Sequence, residues 1–245
     1  MDIYNSYLQS HILEFFNAVR EPEEIIQKIK DDPEFGAPRG RGVRMALARR
    51  ILAARAQLPD GKFVSISQIE EIRGVGPDTC HDIAFTFAQI LLTPDTPSHV
   101  KSLQQYYGGP SQNGMGTAVF FKKITPALNL EEFARLSFQY FLGSLREKIG
   151  ERMFAEWYEV WHLESERKMN IINILHQKIP DEAYLLLENI DDAEAAQAQV
   201  ASVFDDPSVI DLHVYHLGDE DIFTGVLVAG MRENKEATVL LGFYD

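Results

Sequence analysis

The chain has 245 residues, a net charge of −14 and a single cysteine, Cys80, which excludes an internal disulfide. It contains no apolar run of the roughly 18 residues that a membrane span needs and no secretory signal pattern at its start, so we expect a soluble, cytoplasmic protein. The acidic charge opposes a dedicated role in nucleic-acid binding, because attraction to phosphate dominates such affinity.

The first third of the chain predicts helices joined by short loops. Apolar residues at helical spacing predict a helix over residues 4–19. Pro22 and the acidic residues around it open a second helix that ends before Pro33. Further helices are predicted at about 43–57, 65–73 and 77–92. Residues 1–92 are therefore expected to form an all-helical domain.

A glycine-rich hairpin joins the last two of these helices. Gly74 ends one helix, Pro77 occupies the first position of the next, and Val75 and Gly76 lie between them. Such a turn leaves backbone N–H groups directed outward at a helix N-terminus, where an anion can bind. We expect Gly76 to need a positive φ or a close approach by its surroundings.

This segment resembles the helix-hairpin-helix motif, and residues 42–63 resemble a degraded first copy of it. Gly42 and Val43 align with Gly74 and Val75, whereas Arg44 stands where the second glycine of the first copy should be. Residues 42–88 are therefore similar to the tandem helix-hairpin-helix domain of the bacterial competence DNA-uptake receptor family. The resemblance implies contact with a nucleic-acid phosphate through backbone amides. Asp78 departs from that pattern, because its carboxylate would compete with phosphate for the helix end.

A basic stripe adjoins the hairpin. Residues 38–63 contain seven basic residues and one acidic residue, a net of +6 that leaves −20 for the rest of the chain. The candidate anion-binding residues are Gly74, Val75, Gly76, Arg73, Arg44, Arg49, Arg50, Arg55 and Lys62. The stripe either forms a phosphate-binding surface or pairs with acidic groups of this chain or of a partner protein. Charge runs are more often paired or solvated, and we favour that interpretation.

The middle of the chain combines a predicted linker with aromatic-rich helices. Prolines and glycines over residues 93–116 predict mostly a linker or surface loop, with room for a short helical turn around residues 100–107, and a short strand follows at 119–124. Helices are expected over residues 129–177, beginning with Asn129 as N-cap. Within them an aromatic band with spacings of three and four is interpreted as core packing rather than as a base-stacking platform. The band comprises Phe154, Trp157, Tyr158 and Trp161.

The last third predicts a small sheet module. Strands are expected at 182–190, 209–217, 222–231 and 237–243, with a helix at 191–204 capped by Asp191 or Asp192. The predicted fold is thus α+β and mostly α: a helical domain (1–92), a linker (93–116) and an α+β domain (117–245) that ends in a β-α-β-β-β module at 180–245.

Residue patterns that would indicate catalysis or a metal are weak. His213 and His216 lie three apart in a strand, so their side chains should face opposite sides of the sheet. His162 and Glu166 are predicted to share a helix face, but a metal needs three or four ligands. The chain has no phosphate-binding loop, nucleophile elbow or dinucleotide fingerprint. We predict no catalytic residue, metal or cofactor.

Two functions remain open at this stage. In the first, the chain is a non-catalytic scaffold or adaptor that contacts proteins of a larger assembly through its helix-hairpin-helix module and its acidic surface. In the second, the basic stripe and the 74–76 hairpin hold a DNA or RNA backbone without reading sequence. We favour the scaffold, because one intact hairpin makes few phosphate contacts on an acidic body.

Overall fold

The computed structural model describes residues 6–29, 43–88, 96–126, 128–143, 145, 157–163, 170–218 and 222–245. The chain divides into two compact units, Met1–Ile90 and Leu91–Asp245. Among the described residues, no helix combines the length and the apolar character needed to cross a bilayer. Two basic residues of the stripe, Arg39 and Arg41, lie outside the described part of the chain, as do Phe154, Glu166 and the side chain of Asp78.

The first unit, in its described residues, consists of helices around one apolar core. These helices are α1 Ser6–Ala18, α2 Pro22–Lys28, α3 Met45–Ala56, α4 Ser67–Glu70 and α5 Pro77–Ala88. The helix α1 contributes Ile12 and Phe16 to the core, and α3 contributes Ile51, each at most 1% exposed. All five helices lie within the predicted ranges, and α4 is much shorter than expected. Cys80 is buried in α5.

The second unit is built on a five-stranded antiparallel sheet. Its elements in chain order are α6 Ser98–Tyr107, β1 Gly116–Lys123, α7 Leu130–Leu142, β2 Tyr158–His162, α8 Ile171–Lys178, α9 Pro180–Leu187, α10 Ala193–Phe204, β3 Val209–Gly218, β4 Thr224–Arg232 and β5 Glu236–Tyr244. The strand order is β1-β5-β4-β3-β2, which places β1 and β2 at the edges. The chain is therefore a mixed helix-and-sheet protein, as the predicted α+β class requires.

Helices pack on both faces of this sheet. On face A, side chains of β3, β4 and β5 such as Val214, Val226 and Leu240 form one core with α6, α8, α9 and α10. On face B, α7 contacts β4 and β5, and the ring of Phe138 lies 5.5 Å from that of Phe243. Because both faces are covered, most positions of β4 and β5 are apolar and the strands show little alternation.

Several predicted elements of the second unit are confirmed. Asn129 caps α7, since its side chain accepts a hydrogen bond from the backbone N–H of Glu132 at 2.8 Å. The strands predicted at 119–124, 209–217, 222–231 and 237–243 correspond to β1, β3, β4 and β5. The helix predicted at 191–204 is α10, but its N-cap Asp192 is left-handed, with a φ of 55°, and makes no side-chain cap bond.

The prediction of helix across the aromatic band is wrong. Tyr158 and Trp161 lie in the edge strand β2, and Trp157 directly precedes it. A register shift between Glu159 and Trp161 marks a bulge, so aromatic spacings typical of a helix occur here in a strand. The His162 that was expected on a helix is the last residue of the same strand.

Two further predictions are corrected. Residues 182–190 are not a strand, because Pro180 begins the helix α9 with Asp181 and Glu182 in its first turn. The module at 180–245 therefore lacks the first strand of the predicted β-α-β-β-β order, and its strands β3 and β5 pair with β2 and β1, respectively. Residues 98–107, where at most a short helical turn within a linker was expected, form the 10-residue helix α6, whose Val100 and Leu103 are fully buried in the core on face A.

Candidate functional site

The predicted hairpin is a tight turn between α4 and α5. Its backbone is closed by a hydrogen bond from Val75 N–H to the Ile72 oxygen at 2.8 Å. Gly74 has a φ of +101°, a conformation that favours glycine. Gly76 has no such φ, and no atom would lie within 4 Å of a Cβ placed there. The expected demand for glycine at Gly76 is therefore wrong, and the demand lies at Gly74.

Arg50 is exposed, and its guanidinium contacts this turn. Its Nη1 donates to the backbone oxygen of Arg73 at 2.7 Å, and its Nε donates to the oxygen of Ala46 at 3.2 Å. A Cβ on Gly74 would lie 3.1 Å from Nη2 of Arg50. This arginine joins α3 to the hairpin, and two of its donor groups are used within the unit.

Arg55, in the last turn of α3, also donates hydrogen bonds within the first unit. Its Nη1 donates to the backbone oxygens of Phe16 at 2.6 Å and Val19 at 2.7 Å. These carbonyls belong to the last turn of α1 and the residue after it, where backbone oxygens lack helical partners. The half-buried guanidinium therefore caps α1, and its position complements the negative end of that helix.

The remaining predicted cations lie on the surface, as Arg50 does. Arg44, Arg49, Lys62 and Arg73 are exposed, and Arg44 is the N-cap residue of α3. Arg50 contacts the backbone oxygen of Arg73, so the Arg73 side chain takes no part in that hydrogen bond. The structure brings Arg50, Arg73 and Gly74 together and assigns Arg55 to a different contact.

The second unit contains a polar cluster on face B that sequence reasoning missed. The ring of His213 donates from Nδ1 to Glu159 at 2.5 Å and from Nε2 to Asp211 at 2.8 Å. Hydrogen bonds to Asp211 and Glu159 raise the pKa of His213 to about 9. His162 donates from Nδ1 to the other oxygen of Glu159 at 2.8 Å. Two histidines thus converge on one carboxylate.

This cluster pairs charges and does not coordinate a metal. Both ring nitrogens of His213 are already hydrogen-bonded to carboxylates, so neither offers a lone pair to an ion. Among the described residues, no group of three or more His, Cys, Asp or Glu side chains is arranged to hold a metal. The cluster instead ties the edge strand β2 to β3.

A second polar cluster is buried on face A. The Oε1 atom of Glu182 accepts from Thr224 Oγ1 at 2.5 Å and from His216 Nε2 at 3.2 Å. The hydrogen bond from His216 is the largest cause that lowers the pKa of Glu182, to about 2. Tyr158 covers the imidazole, with ring centroids 5.0 Å apart. His213 and His216 therefore lie on opposite faces of the sheet, as predicted.

The sequence carried one usable signal for the face A cluster. An acidic residue two positions after Pro180 is typical of a helix first turn, which would have placed Glu182 on α9. Its pairing with His216 joins positions 34 residues apart, a contact that no local pattern encodes.

Comparisons with known proteins give no relative. No protein-family model, no curated protein and no solved structure matches this chain with significant similarity.

Proposed function

We propose that this protein is a non-catalytic scaffold or adaptor whose N-terminal helical unit contacts another protein. The observation that carries the proposal is that two arginines of the stripe donate hydrogen bonds to backbone oxygens of their own unit. Arg55 donates to the backbone oxygens of Phe16 and Val19, and Arg50 donates to the oxygen of Arg73. Guanidinium groups engaged in this way lose donors that a phosphate surface would need.

Charge supports the same proposal. Residues 91–245 contain 24 acidic and 12 basic residues, so the second unit carries a net charge of −12. A nucleic acid would be repelled by such a surface, whereas a basic or neutral protein surface would not. Val64, 75% exposed, is an apolar side chain of the first unit that a protein partner could cover.

The test is to find the partner and rebuild the complex. Cross-linking of the full-length chain in cells, followed by mass spectrometry, identifies candidate partners, and each is then purified and titrated by calorimetry. We expect one partner to bind with micromolar or tighter affinity, and Val64→Asp to weaken binding about tenfold, a loss of about 1.4 kcal/mol. Purified candidates that give no saturable complex would contradict the proposal.

Binding to a DNA or RNA backbone is the second candidate function. Three exposed cations favour it: Arg49, Lys62 and Arg73, for whose side chains no hydrogen bond or ion pair is found among the described residues. In this case Arg49→Ala/Arg73→Ala would weaken binding to all sequences alike. Removal of two phosphate contacts would lower the slope of log affinity against log salt by about 2. Arg50 is unsuitable for this test, because its loss would also disturb the hairpin.

A further inference from the structure

The two edge strands of the sheet are held in different ways. The strand β1 is buried at residues 118–121, and the end of α6 covers its outer edge, where the Val119 N–H donates to the Gly108 oxygen at 3.1 Å. The strand β2 has no buried residue, and a bulge interrupts its pairing with β3. Its Val160 and Trp161 are only partly buried against the core on face A. Polar contacts therefore weigh more in holding β2 than in holding β1.

The polar contact between β2 and β3 on face B is the His213–Glu159 bridge. Nδ1 of His213 donates to Glu159 of β2 at 2.5 Å, and Nε2 donates to Asp211 of its own strand at 2.8 Å. Ionised carboxylates can only accept, so both ring nitrogens carry a proton and the ring is a cation. The bond to Asp211 lies within β3 whatever β2 does, whereas the bond to Glu159 exists only while β2 lies beside β3.

The strands around His213 add one further titratable side chain. His162, at the end of β2, donates to the other oxygen of Glu159 at 2.8 Å. On the opposite side, Ala229 of β4 is the residue paired with His213 and brings no charge. Hydrogen bonds to Asp211 and then to Glu159 raise the pKa of His213 to about 9, against the opposing effect of burial.

The helix α7 places an ion pair over the same part of face B. Glu131 and Arg135 pair at 2.9 Å, and the guanidinium lies 4.8 Å from the ring centre of Trp157. The ring of Trp157 lies in turn 4.7 Å from that of Tyr215, which stacks on His213. Burial raises the pKa of Tyr215, so its phenol stays neutral, and the two charges of α7 offset each other. Charge changes on the bridge therefore fall on His213.

We propose that β2 is a detachable edge strand, held on β3 by the His213–Glu159 bridge, and that it leaves the sheet before the rest of the unit unfolds when His213 loses its proton to solvent. A neutral imidazole keeps one N–H, and a ring that keeps it on Nε2 for Asp211 turns a lone pair toward the Glu159 carboxylate. The strand is thus bound at neutral pH and released under alkaline conditions. Release leaves the β3 backbone at residues 213–216 unpaired, which is the condition under which another extended strand can pair there.

The sign of the pH effect follows from which bond survives release. With β2 detached, Asp211 still bonds to His213 but Glu159 does not, so the pKa of His213 is lower in the detached state than in the bound state. The free energy of detachment is therefore constant below the lower pKa and falls as the pH rises through about 9. Only the contribution of Glu159 is linked to release.

Tryptophan fluorescence of the full-length chain tests the proposal. The chain has two tryptophans, and both report on β2, because Trp161 lies in it and Trp157 directly precedes it. Emission and acrylamide quenching are followed from about pH 7 to about pH 10, a range in which ordinary tyrosines stay largely protonated. We expect the emission to shift to the red and quenching to rise about twofold near pH 9, while the far-ultraviolet circular dichroism of the same samples stays unchanged.

Two carboxylate variants separate a releasable strand from a general loss of stability. Glu159→Gln removes the charge across the strands and should show the alkaline emission already at neutral pH, with no transition. Asp211→Asn keeps the bridge and should keep the transition, moved to lower pH, because Asp211 is the first cause of the raised pKa of His213. The control His162→Gln should keep the transition near pH 9, since that ring does not contact β3 through Asp211.

Three results would overturn the proposal. The first is tryptophan emission of the wild type that does not change up to about pH 10. The second is circular dichroism that is lost together with the emission change, or lost in Glu159→Gln at neutral pH, since β2 then does not leave alone. The third is the same behaviour in Glu159→Gln and Asp211→Asn, which would show that the bond across the strands has no special role.

Discussion

The guanidinium of Arg50 lies against Gly74, at 3.1 Å from the place where a Cβ of that residue would be. The same group donates to the backbone oxygen of Arg73, so the turn is held from α3 by a side chain 23 residues earlier. Arg50, which the sequence makes a candidate for phosphate binding, is therefore part of the structure that holds the hairpin. This relationship favours a protein-docking role for the helical unit.

The glycine requirement of the turn is expected at position 74 and not at 76. Gly74→Ala places a side chain at a φ of +101° and against Arg50, which should cost about 1–3 kcal/mol. Gly76→Ala meets no atom within 4 Å, and its effect should stay within about 0.5 kcal/mol. Urea unfolding of the two variants checks this. Equal stabilities would show that the turn has a different backbone conformation.

Arg55 should contribute to stability and Arg49 should not. Arg55→Met keeps the length of the side chain but leaves the oxygens of Phe16 and Val19 without their charged donor, a loss of about 1–3 kcal/mol. Arg49→Met, on the exposed side of the same helix, is the matched control and should change stability by less than about 0.5 kcal/mol. Thermal unfolding distinguishes them, and a fully stable Arg55→Met variant would remove the main support for an internal role.

The side-chain oxygen of Asn129 that caps α7 should stabilise the protein, and two substitutions at this position test its contribution. Asn129→Ala removes the oxygen that accepts from Glu132 N–H at 2.8 Å and should cost about 1 kcal/mol. Asn129→Asp keeps an acceptor at the same place and should remain close to the wild type. Chemical unfolding of both variants is the measurement. If the two substitutions cost the same, the cap bond does not stabilise the helix.

Local signals explain what the sequence predicted. Three helices carry a start signal in their own first residues: Pro22 for α2, Pro77 for α5 and the cap residue Asn129 for α7. Each of these helices is present in the structure. The strands β3, β4 and β5 were also predicted, because β-branched and aromatic residues are concentrated between polar turns. Local chemistry is sufficient where an element carries its own start signal and composition.

The errors occur where tertiary contacts or a bulge override the local pattern. Trp157, Tyr158 and Trp161 have helical spacing, but a bulge and pairing with β3 place them in or beside an edge strand. The run of leucines in α9 is equally compatible with a buried strand until the helix packs on the sheet. The roles of Arg55 and Glu182 depend on partners more than 30 residues away, and no spacing rule reaches that far.

The pH dependence of stability should report on His213. Its pKa is raised from 6.5 to about 9, first by Asp211 and then by Glu159, so its contribution is fully present below pH 6.5 and is lost as the pH rises through 9. We expect the free energy of unfolding to fall between pH 6.5 and about 10, and His213→Gln to flatten that fall. His176→Gln, at an exposed histidine 3.7 Å from Glu188, is the control. An unchanged slope in His213→Gln would mean that the ring is not a charged bridge.

The central claim is that arginines of the basic stripe serve the fold and that the helical unit contacts protein. Fluorescence anisotropy of labelled duplex DNA, titrated with the full-length chain at low and moderate salt, tests it most directly. We expect no saturable binding at micromolar protein at either salt concentration. Micromolar binding that falls steeply with salt, disappears in Arg49→Ala/Arg73→Ala and persists in the control Arg20→Ala would contradict the claim and assign a phosphate-binding function to the hairpin.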